Sequence, residues 1–206
     1  MCALGVCSFA SIFEPMAYGI NAGQSEINIM GGVSYFKSTQ DYLGSKIDFG
    51  GSGAAFGMTA LRYITPYLAA GVDVNYTDNG KGGSVIISGN KYNGQAEHGS
   101  GMFYAKAQLT PQSPLRLYVP VGIGVAFLKT YLLQSGAESQ TDNSAGISLM
   151  FGLGLEVETG PYSFIGVEGR YTYNNYFGGN AFGVKDVFYP SILFKAGMRF
   201  DGDIFL

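Results

Sequence analysis

Past Ser25 the chain is a succession of segments in which apolar residues alternate with small or polar ones. Clusters of Gly, Asn, Asp, Ser and Pro separate them, and no stretch shows the 3.6-residue recurrence of a helix. Strands are expected at 25–37, 51–63, 67–77, 101–110, 115–130, 144–158, 162–173 and 190–200. The connections between them constrain the fold more tightly than the strands do. Those at 38–50, 78–100, 131–143 and 174–189 are long, those at 64–66, 111–114 and 159–161 are short, and the two kinds alternate without exception. Tight turns at one end and longer loops at the other are the pattern of an all-β, eight-stranded, antiparallel up-and-down transmembrane β-barrel. The short connections carry Pro66, Pro111, Pro114 and Pro161, which suit turns, whereas Pro120 falls inside the fifth segment and runs against the pattern.

Composition agrees. Only 13% of the 206 residues are charged, against about 25% in soluble domains. The chain is 47% apolar, too much for a disordered segment. A net charge of −3 offers no electrostatic footprint for nucleic acid. The longest apolar run, 117–128, is interrupted by Pro120, Gly122 and Gly124 and falls short of the ~18–20 residues a spanning helix needs.

Splitting each segment by parity separates a lipid face from a lumen face. Ile147, Leu149, Phe151, Leu153, Leu155 and Val157 share one side, with Ser148, Met150, Gly152, Gly154, Glu156 and Glu158 on the other. The same test places Glu26, Asp73, Glu156, Glu158 and Glu168 inside with Lys106, Arg116, Arg170, Lys195 and Arg199, five acids against five bases. Unpaired charge in such a space is expensive, so Glu168, Arg170, Lys195 and Arg199 are expected to belong to a paired network. The Gly-x-Gly pairs at 122–124 and 152–154 are expected to make room for Met30, Tyr104 and Tyr118. Segment 51–63 resists the test because Phe56, Met58 and Ala60 share parity with Arg62, and its facing stays open. With no Trp, interfacial girdles must come from Tyr and Phe; Tyr35, Tyr76, Phe103, Tyr171, Tyr173 and Phe200 have outward parity near expected strand ends.

Residues 1–19 read as a signal peptide that lacks its basic n-region, ending small-x-small at Ala17-Tyr18-Gly19, with the barrel occupying 20–206. Both cysteines, Cys2 and Cys7, fall within it, so the mature chain holds no disulfide framework and no Cys metal site.

Two stretches carry a family resemblance: Tyr118-Val-Pro-Val-Gly-Ile-Gly-Val-Ala-Phe127, and the strand-turn-strand from Gly152 through Gly160-Pro161 to Tyr171. Over residues 25–200 the chain resembles the small bacterial outer-membrane β-barrels of the OmpA transmembrane-domain and opacity-protein type. Phe194-Lys-Ala-Gly-Met-Arg-Phe200 is similar to the terminal strand that the family's assembly machinery reads, although residues 201–206 follow it and Phe205 offers a second aromatic. The resemblance implies residence in the bacterial outer membrane, with outer-membrane lipid, lipopolysaccharide and the barrel-assembly machinery as partners.

The function expected is non-enzymatic: envelope integrity, or surface contact and adhesion to a host or environmental ligand through the long loops. Loop 78–100 carries Lys81, Val85, Ile86, Ile87, Lys91, Tyr92 and Glu97, and its Val-Ile-Ile core suggests strands continuing beyond the membrane. Loop 174–189 carries Tyr176, Phe177, Phe182 and Phe188, suited to adhesion or to packing over the barrel mouth. Two alternatives compete. Glu97-His98-Gly99-Ser100 vaguely resembles the base and nucleophile of lipid A deacylases, but His98 and Ser100 share lumen parity. A soluble lipocalin-like barrel would need a charged exterior, for which the polar parity is too sparse. No catalytic, cofactor or metal-binding residues are assigned.

Overall fold

The computed structural model describes residues 19–42, 44–134, 137–177 and 182–202. The expected signal peptide up to residue 18, both cysteines and Phe205 lie outside the described residues. Among the described residues ten strands are formed: β1 (Gln24–Tyr35), β2 (Ser38–Tyr42), β3 (Ser45–Phe49), β4 (Ser52–Thr65), β5 (Leu68–Ile87), β6 (Asn90–Gln108), β7 (Leu115–Gln134), β8 (Ala137–Glu158), β9 (Ser163–Phe177) and β10 (Asp186–Asp201). Eight of them close an antiparallel barrel in the order β1-β10-β9-β8-β7-β6-β5-β4, with β4 pairing back to β1. All eight expected segments lie on these barrel strands. β2 and β3 form a separate hairpin inside the first long connection, an element absent from the sequence-based expectation.

Following cross-strand partners once round the wall, from Phe188 through Tyr173, Leu149, Ile123, Phe103, Val72, Ala60 and Ile27, returns to β10 at Met198, ten residues from the start. For eight strands that stagger corresponds to a tilt of about 40°. β9 climbs ten residues from Ser163 to Tyr173, a height of about 25 Å at that tilt, which matches the apolar band of outer-membrane barrels.

The parity split holds round the wall. Ile29, Val33, Val74, Ile123, Val125, Phe151, Leu153, Ile165, Ile192 and Phe194 are exposed outward, while all ten predicted lumen charges point inward. This is the reverse of a lipocalin, and it excludes the soluble-barrel alternative. Segment 51–63 resolves with Ala55, Thr59, Leu61 and Tyr63 inside and Phe56, Met58 and Arg62 outside. Arg62 sits beside the short turn at 66–67, where a lipid-face cation costs only about 0–1 kcal/mol. Tyr35, Phe56, Tyr76, Phe127, Tyr171 and Phe188 are exposed towards the end of the wall that carries the long loops, and Tyr67 and Tyr162 mark the short-turn end. Phe103 departs from the girdle expectation: paired with Val72 and Ile123, it lies in mid-wall because β6 continues to Asn90.

Local choices explain the wall's irregular points. The β7–β8 ladder is interrupted at Val119 and Pro120 with its register kept, where the proline has no N–H to give, and Gly152 opposite leaves space for its ring. A Cβ on Gly154 would fall 1.9 Å from Tyr118 Cζ; glycine there lets its cross-strand partner's ring lie against the wall. Around Gly122 the crowding atoms are Met102 Sδ and Met150 Cε, both 3.2 Å from an added Cβ, so these glycines accommodate bulky lumen side chains as expected, though partly different ones.

β5 and β6 continue as a hairpin past the girdle to a turn in which Ser88 (φ 50°) and Gly89 (φ 81°) are both left-handed, the geometry of a two-residue type I′ connection. β7 and β8 rise beside them. The Val-Ile-Ile core of loop 78–100 therefore extends the strands, as its sequence suggested. From Tyr76 to Ile86 this lip stands about 25 Å beyond the girdle. β3 packs on the lip's inner side, where backbone meets backbone: a Cβ at Gly82 would lie 2.0 Å from Asp48 O, and one at Gly94 2.6 Å. Gly94→Leu is expected to dislodge β2–β3, making that hairpin at least tenfold more sensitive to limited proteolysis, while the heat-dependent gel mobility of the closed barrel is kept.

Candidate functional site

The lumen is filled in two layers of opposite chemistry. At the short-turn end lies an ion-pair ladder built from seven strands. Asp73 pairs with Arg170 at 2.8 Å and Arg170 also with Glu168; Lys195 lies 3.7 Å from Glu168 and 2.8 Å from Glu156. Glu156 also takes Lys106 and Arg199, both at 2.5 Å, and Glu26 takes the same two cations at 2.9 and 3.0 Å. Glu158 ends the ladder between Arg199 at 3.4 Å and Arg116. All ten predicted lumen charges join one network, which is more than the four-residue cluster expected.

Neutral donors and rings complete it. Tyr63 OH donates to Glu26 at 2.8 Å, Tyr118 OH to Glu168 at 2.6 Å and Thr59 OH to Asp73 at 2.9 Å. The Arg199 guanidinium lies 4.1 Å from the Phe164 ring centroid. Desolvating an ion costs several kcal/mol, and only dense mutual pairing offsets that. Tyr63 and Thr59 were missed as ladder members because the facing of their strand was ambiguous; a rule that every lumen carboxylate needs neutral donors would have pointed to them.

Above the ladder the mouth is apolar. Phe36, Ile47 and Phe49 from the first connection meet Phe182, Val184 and Val187 from the last, over Leu128, Leu132, Tyr176 and Tyr189 of the wall. Phe49 and Phe182 meet as tilted rings with centroids 4.9 Å apart. Of the four aromatics noted in the last long connection, Tyr176 and Phe182 pack into the mouth, whereas Phe177 and Phe188 remain exposed. Between cap and ladder, hydroxyls of Thr77, Ser100, Thr172 and Ser191 line a cavity of about 10 Å³, room for roughly one water.

The Glu97-His98-Gly99-Ser100 segment is split by the pleat. His98 is buried in the cap, its Nδ1 2.8 Å from Tyr176 OH and its ring edge-on to Phe36 at 4.7 Å. Ser100 lies below it beside the small cavity, and Glu97 is on the other face, accepting from Tyr131 OH at 2.9 Å. No carboxylate–imidazole–hydroxyl relay is assembled, and the hydroxyl does not reach lipid.

No protein-family model and no curated protein sequence matches the chain. Solved structures do match. Ail, the attachment invasion locus protein of Yersinia pestis, superimposes with a TM-score of 0.53 at 18% identity, covering 87% of this chain and 99% of that one. The outer membrane protein OprG of Pseudomonas aeruginosa gives 0.51 at 15% identity, covering 90% and 99%. The fold is thus that of the small eight-stranded outer-membrane barrels. With its apolar band and closed sheet, the protein has the fold of an outer-membrane β-barrel.

Removing one partner from a buried pair strands the other, at a cost of about 3–5 kcal/mol. Glu156→Ala, which takes away the carboxylate shared by Lys106, Lys195 and Arg199, is expected to lower the temperature of the heat-induced gel shift by at least 10 °C. Lys129→Ala, which removes an exposed pair with Glu138 at 3.2 Å, is expected to leave it within about 2 °C.

Proposed function

We propose that this is a non-enzymatic, non-conducting barrel that works through its extracellular lip, making contact at the cell surface while the wall anchors it in the envelope. The observation that carries the reading is the division of labour in the chain. The lumen is spent on side-chain packing, with a charge ladder and an apolar cap in series, whereas β5–β8 extend well beyond the height the membrane requires. A surface this tall and rigid, stiffened from inside by β2–β3, suits the binding of another surface better than the passage of a solute. The likeness in fold to Ail, an attachment invasion locus protein, supports the same reading. Outer-membrane lipid and lipopolysaccharide surround the wall in this reading, the barrel-assembly machinery inserts it, and the lip meets a host or environmental ligand.

The test joins two measurements. Purified protein in planar bilayers is expected to show no steady conductance. Replacing residues 80–95 with a two-residue Asn-Gly turn is expected to preserve outer-membrane insertion and the heat-dependent gel shift while lowering adhesion of expressing cells to host-cell or matrix-coated surfaces at least fivefold. Unchanged adhesion, or stable single-channel steps, would overturn the proposal.

A further inference from the structure

The lipid face of the wall is furrowed along β6. Between Val74 and Tyr76 of β5 and Val125 and Phe127 of β7, that strand turns Gly99 and Gly101 outward, and a Cβ on either would meet nothing within 4 Å. Three hollows follow one another down the furrow. The first, about 510 Å³, lies over Gly99 between the Tyr76 and Phe127 rings; the second, about 320 Å³, lies over Gly101; the third, about 740 Å³, lies over Ala105. Phe103 stands between the lower two and borders both. From Gly99 to Ala105 the furrow runs about 20 Å, a height of about 15 Å at the barrel's tilt, which is half of the ~30 Å hydrocarbon core. One leaflet's acyl chain has that reach.

The upper end of the furrow is charged. Asp78, Glu97 and Lys129 are successive cross-strand partners, and Glu97 and Lys129 border the first hollow with Asn143. Both charges are held upright beside it. The Tyr131 hydroxyl donates to Glu97 at 2.9 Å, and Lys129 Nζ lies 3.2 Å from Glu138 and 4.7 Å from the Tyr131 ring centroid. A negative and a positive group therefore stand side by side just above the exposed Tyr76 and Phe127, where headgroups begin.

We propose that this furrow binds a single phosphatidylethanolamine, with one acyl chain along β6 and the zwitterionic headgroup across the rim, its ammonium donating to Glu97 and its phosphate facing Lys129. The inference rests on the wall standing in a bilayer and not on any role of the lip. Shape and charge select the ligand together. In a bilayer every wall side chain meets hydrocarbon, so what distinguishes a bound chain is close packing on several sides, which a groove supplies and a smooth wall does not. At the rim Asp78, Glu97 and Glu138 outnumber Lys129, so a purely anionic headgroup is disfavoured. A choline headgroup has no N–H for a carboxylate that can only accept. An ethanolamine phosphate carries a donor cation and an anion in the same order as Glu97 and Lys129.

The test is lipid retention by the folded protein. Refolded, delipidated protein that shows the heat-dependent gel shift is titrated in detergent with phosphatidylethanolamine, phosphatidylglycerol or phosphatidylcholine of identical chains, and bound lipid is counted by native mass spectrometry. One phosphatidylethanolamine per barrel is expected, retained at least tenfold more tightly than either of the others. Gly101→Leu, which fills the furrow at a position open to the outside, is expected to weaken retention at least fivefold, and Gly99→Leu to do the same. Glu97→Gln is expected to keep the chain site but to bring phosphatidylethanolamine and phosphatidylcholine within twofold of each other. Val33→Leu, on the lipid face of β1, is expected to change nothing. Each variant is read only with its gel shift intact, so loss of the barrel is not mistaken for loss of the site. Equal retention of the three lipids, a series of adducts with no preferred first one, or unchanged phosphatidylethanolamine binding in both furrow-filling variants would overturn the proposal.

Discussion

In hydrocarbon a backbone N–H or C=O without a partner has no water to fall back on, and every other feature of this protein follows from that penalty. A sheet satisfies it only by closing, so β1 must find both β10 and β4. Closure with a ten-residue stagger sets the tilt, and the tilt sets which residues share a height. Closure also creates a narrow interior that must be filled. The glycines facing Tyr118 and the two methionines, and the interrupted ladder at Pro120, are adjustments that let bulky groups and an awkward residue fit within an unbroken wall.

The interior is filled by charge rather than by hydrocarbon, and this divides the molecule. A ladder in which each carboxylate meets cations from other strands cross-links the wall at one end, and it tolerates little loss because its members are desolvated together. The opposite end is sealed by rings and aliphatic side chains from two loops. Each seal is suited to its place: the ladder ties barrel strands to one another, while the cap ties loops to the wall and thereby gives the lip a fixed shape.

Much of the barrel was legible in the sequence because its signals are local. A period of two along 147–157 states which residues face lipid, and alternating connection lengths state which end carries the loops. The inward charges were legible for the same reason, since parity alone counts them. The fourth strand in chain order was illegible because Arg62 shares parity with Phe56 and Met58. Only its position beside a turn shows that the cation lies near the interface. The β2–β3 hairpin was overlooked although Ile47 and Phe49 alternate with Lys46 and Asp48 between Gly44 and Gly50, because so short a pair gains its burial from the lip and not from itself.

The sequence by itself therefore determined the class of fold, the number of wall strands, the direction of nearly every wall side chain and the near-neutrality of the lumen. These depend on periodicity and composition, which a single strand carries alone. Tertiary structure decided what closure and stagger bring together. It joined ten charges from seven strands in one ladder, set Phe103 in mid-wall, and drove Phe49 against Phe182 and Ile20 against Tyr63. Such meetings depend on register, and register is a property of neighbouring strands that no one of them encodes.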